Sequence, residues 1–297
     1  MPQILLSRNS LYTSADFYRD LRRRRDYKLW LDTRVKANLA RRSIHWADRT
    51  VAPSEAFAEE LRRWTGREVS SIHHGFDAES FCSNHQPLPA AIREKLDAAS
   101  GDLKLLFVSH YNYYRNFETL FRALPLLRDR LQGKVKLVLT CRLSSEANPG
   151  SYRAEEAARL VCDLGIAENV VELGSVPYDL LHYVYRACDA YVTPAYAESF
   201  AHPLVEAMSA GLPVVASDIA VHREICGPSA LFFERFSASG LAERIFQLAA
   251  LDDLRDKLKG QGERRSQDFS WTRHVSELVR SLSSLVSRAS ASLDEDG

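Results

Sequence analysis

The apolar positions between residues 102 and 286 follow two alternating patterns. Short apolar runs predict buried strands at residues 103–108, 135–139, 170–173, 189–193, 213–216 and 230–233. Apolar residues at helical spacing predict helices at residues 116–130, 151–164, 178–187, 204–209, 237–266 and 271–286. Strands that alternate with helices predict an α/β fold with a doubly wound parallel sheet, which binds ligands beyond the carboxyl ends of its strands.

The first hundred residues contain fewer strand signals. Strands are predicted at residues 4–7, 49–52 and 68–72, and helices at residues 16–25, 33–47 and 55–64. Three strands are too few for an independent doubly wound domain. Turn residues predict a linker within residues 73–96. The predicted organisation is therefore a partial N-terminal α/β domain with linker (1–86), a C-terminal domain (87–286) and a small, acidic, disordered tail (287–297).

The charge distribution excludes some partners and leaves one open. Formal net charge is zero over 297 residues, which gives no argument for nucleic acid as a partner. Residues 1–70 hold fifteen Lys and Arg against nine Asp and Glu, and the densest run is Arg22 to Arg25. This basic region is interpreted either as a solvated helix face or as a peripheral contact with an anionic membrane surface.

Five cysteines without paired spacing indicate reduced thiols and a cytoplasmic location, and they argue against a zinc site or a disulfide framework. No signal peptide is recognised, and no apolar run approaches the roughly 20 residues that span a bilayer. The prediction is a cytoplasmic protein, with an inner membrane surface as the alternative placement.

One segment, residues 197–218, concentrates the candidate chemistry. Glu198 and Glu206 are separated by seven residues, with Glu198 in a strand-to-helix loop and Glu206 on the helix that follows. Carboxylates accept hydrogen bonds and therefore suit hydroxyl-rich ligands such as sugars and ribose. Free backbone N–H groups near the helix N-terminus favour a phosphate or an anionic leaving group. These groups belong to Ser199, Phe200 and Ala201. Two glutamates at this spacing also occur by chance on ordinary helices.

The complete string, from Glu198 and Glu206 to the sequence AMSAGLPVVAS, resembles the signature of the family-four, GT-B-fold retaining glycosyltransferases. The preceding sequence CDAYVTPA resembles the strand before that signature. The resemblance extends from about Arg49 to Val286. It implies a Rossmann-like C-terminal domain of the GT-B fold beside an incomplete N-terminal domain, and transfer of a sugar with retention of configuration and without an obligatory metal or other cofactor.

The resemblance also implies roles for individual residues. Glu206 would hold the nucleotide ribose, and Glu198 would contact the donor sugar. Ala201 stands where the family usually has glycine, and His202 where it has a small or apolar residue. These departures leave the sugar open, and His202 is interpreted either as a donor contact or as a packing residue.

Four further positions are implied to contact the donor. Arg115 and Asn116 fall where the family commonly has Lys-Asn or Lys-Gly, and a guanidinium there suits a diphosphate. A cation at a helix start is disfavoured by the helix dipole unless an anion accompanies it. Ser109 falls where many members have a second arginine. Val176 lies in a loop that resembles the one flanking the base.

The resulting prediction is a glycosyltransferase of polysaccharide biosynthesis. It would transfer a hexosyl group from a UDP- or GDP-sugar to a glycan or lipid-linked acceptor, with Glu198 and Arg115 as its catalytic residues. The alternative is a non-catalytic nucleotide-sugar-binding subunit or an inactive truncated remnant. The resemblance implies that the first half of the acceptor domain is absent. A truncated gene model, a separate N-terminal chain and an inactive remnant are the explanations left open.

Overall fold

Strands and helices alternate along the computed structural model, which describes residues 2–147 and 152–295, with side chains described up to residue 287. The strands are β1 (Ile4–Leu6), β2 (Arg49–Ala52), β3 (Val69–Ser71), β4 (Leu103–Phe107), β5 (Val135–Leu139), β6 (Val170–Glu172), β7 (Ala190–Thr193), β8 (Val214–Ser217) and β9 (Ala230–Phe233). The helices are α1 (Ala15–Arg23), α2 (Tyr27–Trp46), α3 (Glu55–Thr65), α4 (Ala78–Phe81), α5 (Ala90–Ala98), α6 (Phe117–Arg130), α7 (Ala154–Asp163), α8 (Leu181–Arg186), α9 (His202–Ser209), α10 (Ala220–Cys226), α11 (Ala238–Ala250), α12 (Asp252–Ser266) and α13 (Trp271–Glu295).

The chain divides into two compact units. The first unit comprises the described parts of Met1–Phe76, Ala197–Ala201 and Phe269–Gly297. The second unit comprises the described parts of Asp77–Tyr196 and His202–Asp268.

The second unit is built on a six-stranded parallel sheet with the order β6-β5-β4-β7-β8-β9. The order runs outward from β4 in one direction and outward from β7 in the other, so it reverses between these two strands. All four residues of β7 and of β8 are buried, as expected of parallel strands covered on both faces. Helix α6 packs on α11, and α9 packs on α12. The predicted doubly wound parallel sheet is confirmed.

The first unit contains a three-stranded parallel sheet with the order β1-β2-β3. The hydroxyl of Ser54 accepts a hydrogen bond from the Phe57 N–H at 3.2 Å and caps α3. Helix α13 is tied to β2, because the Arg49 guanidinium donates to the Ser281 carbonyl oxygen at 2.8 Å and to the Ser284 hydroxyl at 2.9 Å. The three strands predicted for this region are confirmed.

The observed units correct two of the predicted boundaries. Helix α13 belongs to the first unit and not to the C-terminal domain, because Arg49 binds it. The helix also continues to Glu295, so the residues from Ser287 to Glu295 are helical where the sequence predicted disorder. Asp296 and Gly297 lie outside the described residues. The small residues of this segment are compatible with a helix.

Four predicted elements differ from the observed ones. The predicted helix at residues 237–266 is observed as two helices, α11 and α12. Helix α2 begins at Tyr27 instead of residue 33. The predicted linker at residues 73–96 contains α4 and most of α5. Pro89 is the N-cap residue of α5, and Ile92 and Leu96 on this helix are buried. The predicted helix at residues 151–164 is observed as α7, and Ser151 lies outside the described residues. Helix α10 was not predicted.

Each described helix is too short or too polar to span a lipid bilayer.

We predict that Gly75→Ala destabilises the first unit. A Cβ at Gly75 would lie 2.2 Å from the backbone nitrogen of Trp271 and 2.6 Å from the carbonyl carbon of Ser270. Backbone atoms cannot rotate away as a side chain can, so the free energy of unfolding should fall by about 3 kcal/mol in urea titrations.

The control is Gly260→Ala in α12, where the nearest atom to the added Cβ is an Arg264 guanidinium nitrogen at 3.7 Å. Alanine is the better helix former, so the free energy of unfolding of this variant should be about 0.5 to 1 kcal/mol higher than that of the parent. Equal midpoints for the two variants would contradict the prediction.

Candidate functional site

The loops after β4 and β7 are hydrogen-bonded to each other where the strand order of the second unit reverses. The Asn116 side-chain amide donates to the Pro194 carbonyl oxygen at 3.1 Å, and the Tyr196 N–H donates to the Tyr114 carbonyl oxygen at 3.0 Å. Asn116 is buried and adopts a left-handed φ of 56°, which Asn tolerates better than most residues. These bonds fix the turn that carries Arg115.

Arg115 ends a short 3-10 turn (Tyr113–Arg115) directly before α6. Its guanidinium lies 5.1 Å from the centre of the Tyr114 ring. The Ser109 N–H donates to the Thr140 hydroxyl at 3.1 Å, which joins the loop after β4 to the loop after β5. The Ser109 hydroxyl donates to the His110 carbonyl oxygen at 2.6 Å. Of the two positions at which the family commonly carries a basic residue, 109 and 115, position 115 is the one that is basic in this chain.

Glu206 is a buried carboxylate on α9. It is 4% exposed and lies within a run of five consecutive buried residues, Leu204 to Met208. The Tyr185 hydroxyl donates to Glu206 Oε2 at 2.8 Å, and the Tyr178 hydroxyl also hydrogen-bonds to this carboxylate. Burial raises the pKa of Glu206, and the two hydroxyls oppose that rise.

The loop after β6 reaches the same carboxylate through Tyr178. Val176 is half-buried in this loop, two residues before Tyr178. The Tyr178 ring lies 5.2 Å from the ring of Phe81 and is largely exposed. Neither Tyr178 nor Tyr185 was predicted to hydrogen-bond to Glu206. A glutamate inside a continuous apolar helical run needs buried donors, and Tyr185 on the apolar helix α8 was a detectable candidate.

A buried histidine lies behind the loop after β7. The His222 Nδ1 atom donates to the Ser217 carbonyl oxygen at 2.9 Å and lies 3.1 Å from the Ser217 hydroxyl, which donates to the Ala195 carbonyl oxygen. Among residues 2–147 and 152–295, the Nε2 atom of His222 has no hydrogen-bond partner. Burial lowers the pKa of His222 to about 4, and the charge of Arg115 contributes to that shift. No pattern in the sequence predicted that His222 is buried in this region.

The first unit holds the segment from Glu198 to Ala201. Glu198 is buried, the Ser199 carbonyl oxygen accepts a hydrogen bond from the Ser54 hydroxyl at 2.7 Å, and the Phe200 ring lies 5.3 Å from the ring of His74. Ala201 adopts a positive φ of 66°, a conformation that glycine adopts without steric cost. This conformation accounts for the glycine that the family usually has at this position.

The predicted site residues are therefore distributed over both units. The second unit contains Ser109, Arg115, Asn116, Val176, His202 and Glu206, and His202 is the first residue of α9. The first unit contains Glu198, Ser199, Phe200 and Ala201. The predicted placement of Glu198 in a loop and Glu206 on the following helix is confirmed. Within the described ranges, no group of three or more His, Cys, Asp or Glu side chains could hold a metal ion.

The strand order of the second unit defines a Rossmann-like α/β protein, a class whose ligands bind at the carboxyl edge of the sheet. The buried carboxylate on α9 and the guanidinium before α6 are the candidate site residues of the second unit. A family model described as glycosyl transferases group 1 matches residues 90–265, and one described as Glycosyltransferase Family 4 matches residues 6–80. The chain belongs to the glycosyl transferases group 1 family, a family of transferase enzymes. The family predicted from the sequence is confirmed.

Curated relatives are longer than this chain. A D-inositol 3-phosphate glycosyltransferase of Nocardia farcinica is 30% identical over 253 residues, which cover 81% of this chain and 53% of the relative. An O-antigen chain mannosyltransferase B of Escherichia coli is 27% identical over 177 residues, which cover 59% of this chain and 44% of the relative. The chain thus spans about half the length of the curated relatives it matches.

Two solved structures share the fold. Anabaena HepE, in complex with UDP and glucose, has a TM-score of 0.73 and 20% identity, over 95% of this chain and 72% of that chain. Sucrose-phosphate synthase from Thermosynechococcus elongatus has a TM-score of 0.71 and 22% identity, over 86% of this chain and 62% of that chain.

We predict that His222 makes stability depend on pH. The unfolded chain binds a proton at His222 near pH 6.5, whereas the folded chain binds it only near pH 4. The free energy of unfolding is therefore fully retained above pH 6.5 and falls as the pH is lowered, by about 2 kcal/mol between pH 7 and pH 5.

Urea unfolding at several pH values measures this dependence, with His222→Leu as the comparison. The variant should lose this part of the slope whatever its stability at pH 7. An unchanged slope in His222→Leu would assign the dependence to other groups.

Proposed function

We propose that this chain binds a nucleoside diphosphate sugar and transfers its hexosyl group, with retention of configuration, to a glycan or lipid-linked acceptor. One observation carries the proposal, namely that the loops after β4 and β7 are bonded together at the reversal of strand order. Doubly wound sheets bind their ligands at this position. Arg115 lies on the first of these loops, and Glu206 lies on the helix that follows the second.

Arg115 would bind the diphosphate. A guanidinium offers two parallel N–H donors to phosphate oxygens and neutralises the negative charge that grows on the leaving group. Asn116 would position this arginine, because its side-chain amide is bonded to Pro194. Ser109 would lie beside the diphosphate, and its hydroxyl would have to turn away from the His110 carbonyl oxygen to donate to a phosphate oxygen.

Glu206 would accept hydrogen bonds from the ribose hydroxyls. Its carboxylate has several acceptor positions, so the hydroxyls of Tyr185 and Tyr178 orient it without using all of them. Val176 would flank the base through its backbone. The two tyrosine hydroxyls would hold the Glu206 carboxylate in the orientation in which it accepts from the ribose diol.

The segment from Glu198 to His202 would contact the sugar. Glu198 would accept from sugar hydroxyls, and the backbone N–H groups of Ser199, Phe200 and Ala201 would stabilise negative charge at the start of α9. His202 would contact the donor from the first position of that helix. This chemistry needs neither a metal nor another cofactor. The UDP and glucose of the HepE structure support a UDP-sugar donor, with a GDP-sugar as the alternative.

The acceptor and the cellular context are further parts of the proposal. The O-antigen chain mannosyltransferase relative supports a role in polysaccharide biosynthesis. A cytoplasmic location, with the inner membrane surface as the alternative, is part of the same proposal. A non-catalytic nucleotide-sugar-binding subunit is the second candidate function.

We predict that the parent chain binds UDP or GDP and that Arg115→Ala weakens this binding about 10- to 100-fold in calorimetry, through the loss of a charge-assisted hydrogen bond to phosphate. Arg122→Ala, which changes an exposed arginine on α6, the helix that follows Arg115, is the matched control and should bind like the parent. Binding of the free nucleoside should be unaffected by either change.

We predict that Glu206→Gln weakens nucleoside and nucleoside diphosphate to a similar extent, since ribose is common to both. Tyr185→Phe should weaken both about fivefold, because the carboxylate loses one orienting donor. A Glu206 variant that lost affinity only for the diphosphate would contradict the assigned roles, and a parent chain that bound neither UDP nor GDP would contradict the proposed function. Incubation with donor and acceptors, followed by NMR of the product's anomeric centre, separates a retaining enzyme from a binding subunit.

A further inference from the structure

Helix α2 of the first unit carries apolar residues on two opposite faces. Thr33, Ala37 and Ile44 are buried on one face. The opposite face carries five large apolar side chains that are each between 51% and 79% exposed. These are Tyr27, Leu31, Val35, Leu39 and Trp46, and together they are called the outer face of α2.

The spacing of the outer face makes it a continuous stripe. Tyr27, Leu31, Val35 and Leu39 follow one another at intervals of four residues, so each side chain lies next to the following one along the helix. Single exposed apolar side chains are ordinary, whereas a contiguous apolar stripe on a protein surface marks an interaction site.

The charges around the outer face are mostly positive. Helix α2 contains five exposed cations and one exposed anion, Asp32, which is paired with Lys36 at 2.8 Å. The cations are Lys28, Arg34, Lys36, Arg41 and Arg42. Lys28 precedes Leu39 by eleven residues and Arg42 follows Leu31 by eleven, which is about three turns, so these two cations lie along the stripe itself.

The neighbouring basic run contributes less than its sequence suggested. Arg23 and Arg24 both pair with the buried carboxylate of Asp20, at 2.9 and 3.1 Å. Two of the four arginines in the run are therefore paired with Asp20, and the Arg24 side chain is buried as well. Helix α2 is the stronger candidate for a docking surface.

We propose that the outer face of α2 docks on an anionic lipid surface. Leu31, Val35 and Leu39 would enter the boundary between headgroups and acyl chains, while Lys28 and Arg42 extend their charged ends to lipid phosphates. Tyr27 and Trp46 lie at the two ends of the helix, and their rings combine an apolar body with a polar tip that suits this boundary. The proposal does not depend on the donor site.

Charge distinguishes this partner from a second copy of the chain. Two outer faces brought together would oppose their excess cations, and like charges across an interface weaken association. An anionic lipid surface instead satisfies the cations and the apolar stripe at the same time.

Co-sedimentation of the full chain with vesicles tests the proposal. The parent should bind vesicles that contain one third phosphatidylglycerol, bind pure phosphatidylcholine vesicles far less, and lose affinity at 0.5 M salt. Leu31→Ser with Leu39→Ser should weaken binding to the anionic vesicles about tenfold, because two apolar side chains no longer leave water. Lys28→Gln with Arg42→Gln should weaken it by a similar factor.

The matched control is Leu126→Ser with Leu251→Ser. These leucines are 43% and 48% exposed and belong to different segments of the second unit, so the loss of two exposed apolar side chains is reproduced without removing a continuous stripe. This control should bind vesicles like the parent, and circular dichroism should show all variants folded.

Three outcomes would overturn the proposal: no binding to anionic vesicles, equal loss in the Leu126 and Leu251 control, or a stable dimer that the Leu31 and Leu39 changes dissociate without any vesicle binding. Calorimetry with UDP and GDP on the same samples keeps the donor site separate. Its failure would count against the proposed function and leave the vesicle result intact.

Discussion

The parallel pairing of β4 with β7, through Leu105 with Ala190 and Leu106 with Tyr191, is the constraint on which the candidate donor site depends. The chain continues from β4 to β5 on one side and from β7 to β8 on the other. The loops after these two neighbouring strands therefore lie side by side at the reversal of strand order, the position at which doubly wound sheets bind their ligands. Hydrogen bonds from Asn116 and Tyr196 then hold the two loops in a fixed geometry, which a binding site needs more than any single side chain.

Two buried titratable groups near this edge are pushed toward their neutral forms by the same cause. Burial raises the pKa of Glu206 and lowers the pKa of His222. Glu206 accepts hydrogen bonds from the Tyr185 and Tyr178 hydroxyls, and His222 donates one to the Ser217 carbonyl oxygen. A site that excludes water in this way also strengthens the interaction of Arg115 with an anionic ligand.

The start of helix α2 in the first unit could not be predicted from the spacing of its apolar residues. Helix α2 was predicted to begin at residue 33, six residues after its observed start at Tyr27. Apolar residues on both its buried and its outer face obscure the single stripe that normally identifies an amphipathic helix. The same pattern that obscured the start of the helix supports its proposed docking on lipid, where a lipid-linked acceptor would also be found.

The sequence by itself determined the alternation of strands and helices, the parallel sheet, the family, and the placement of Glu198 in a loop and Glu206 on a helix. Only the tertiary structure decided that Tyr185 and Tyr178 hold Glu206, that His222 is buried behind Ala195, and that α13 joins the first unit. Periodicity reports which face of one element is apolar, because neighbouring residues determine it. Hydrogen-bond partners come from distant parts of the chain, and strand order and packing bring them together.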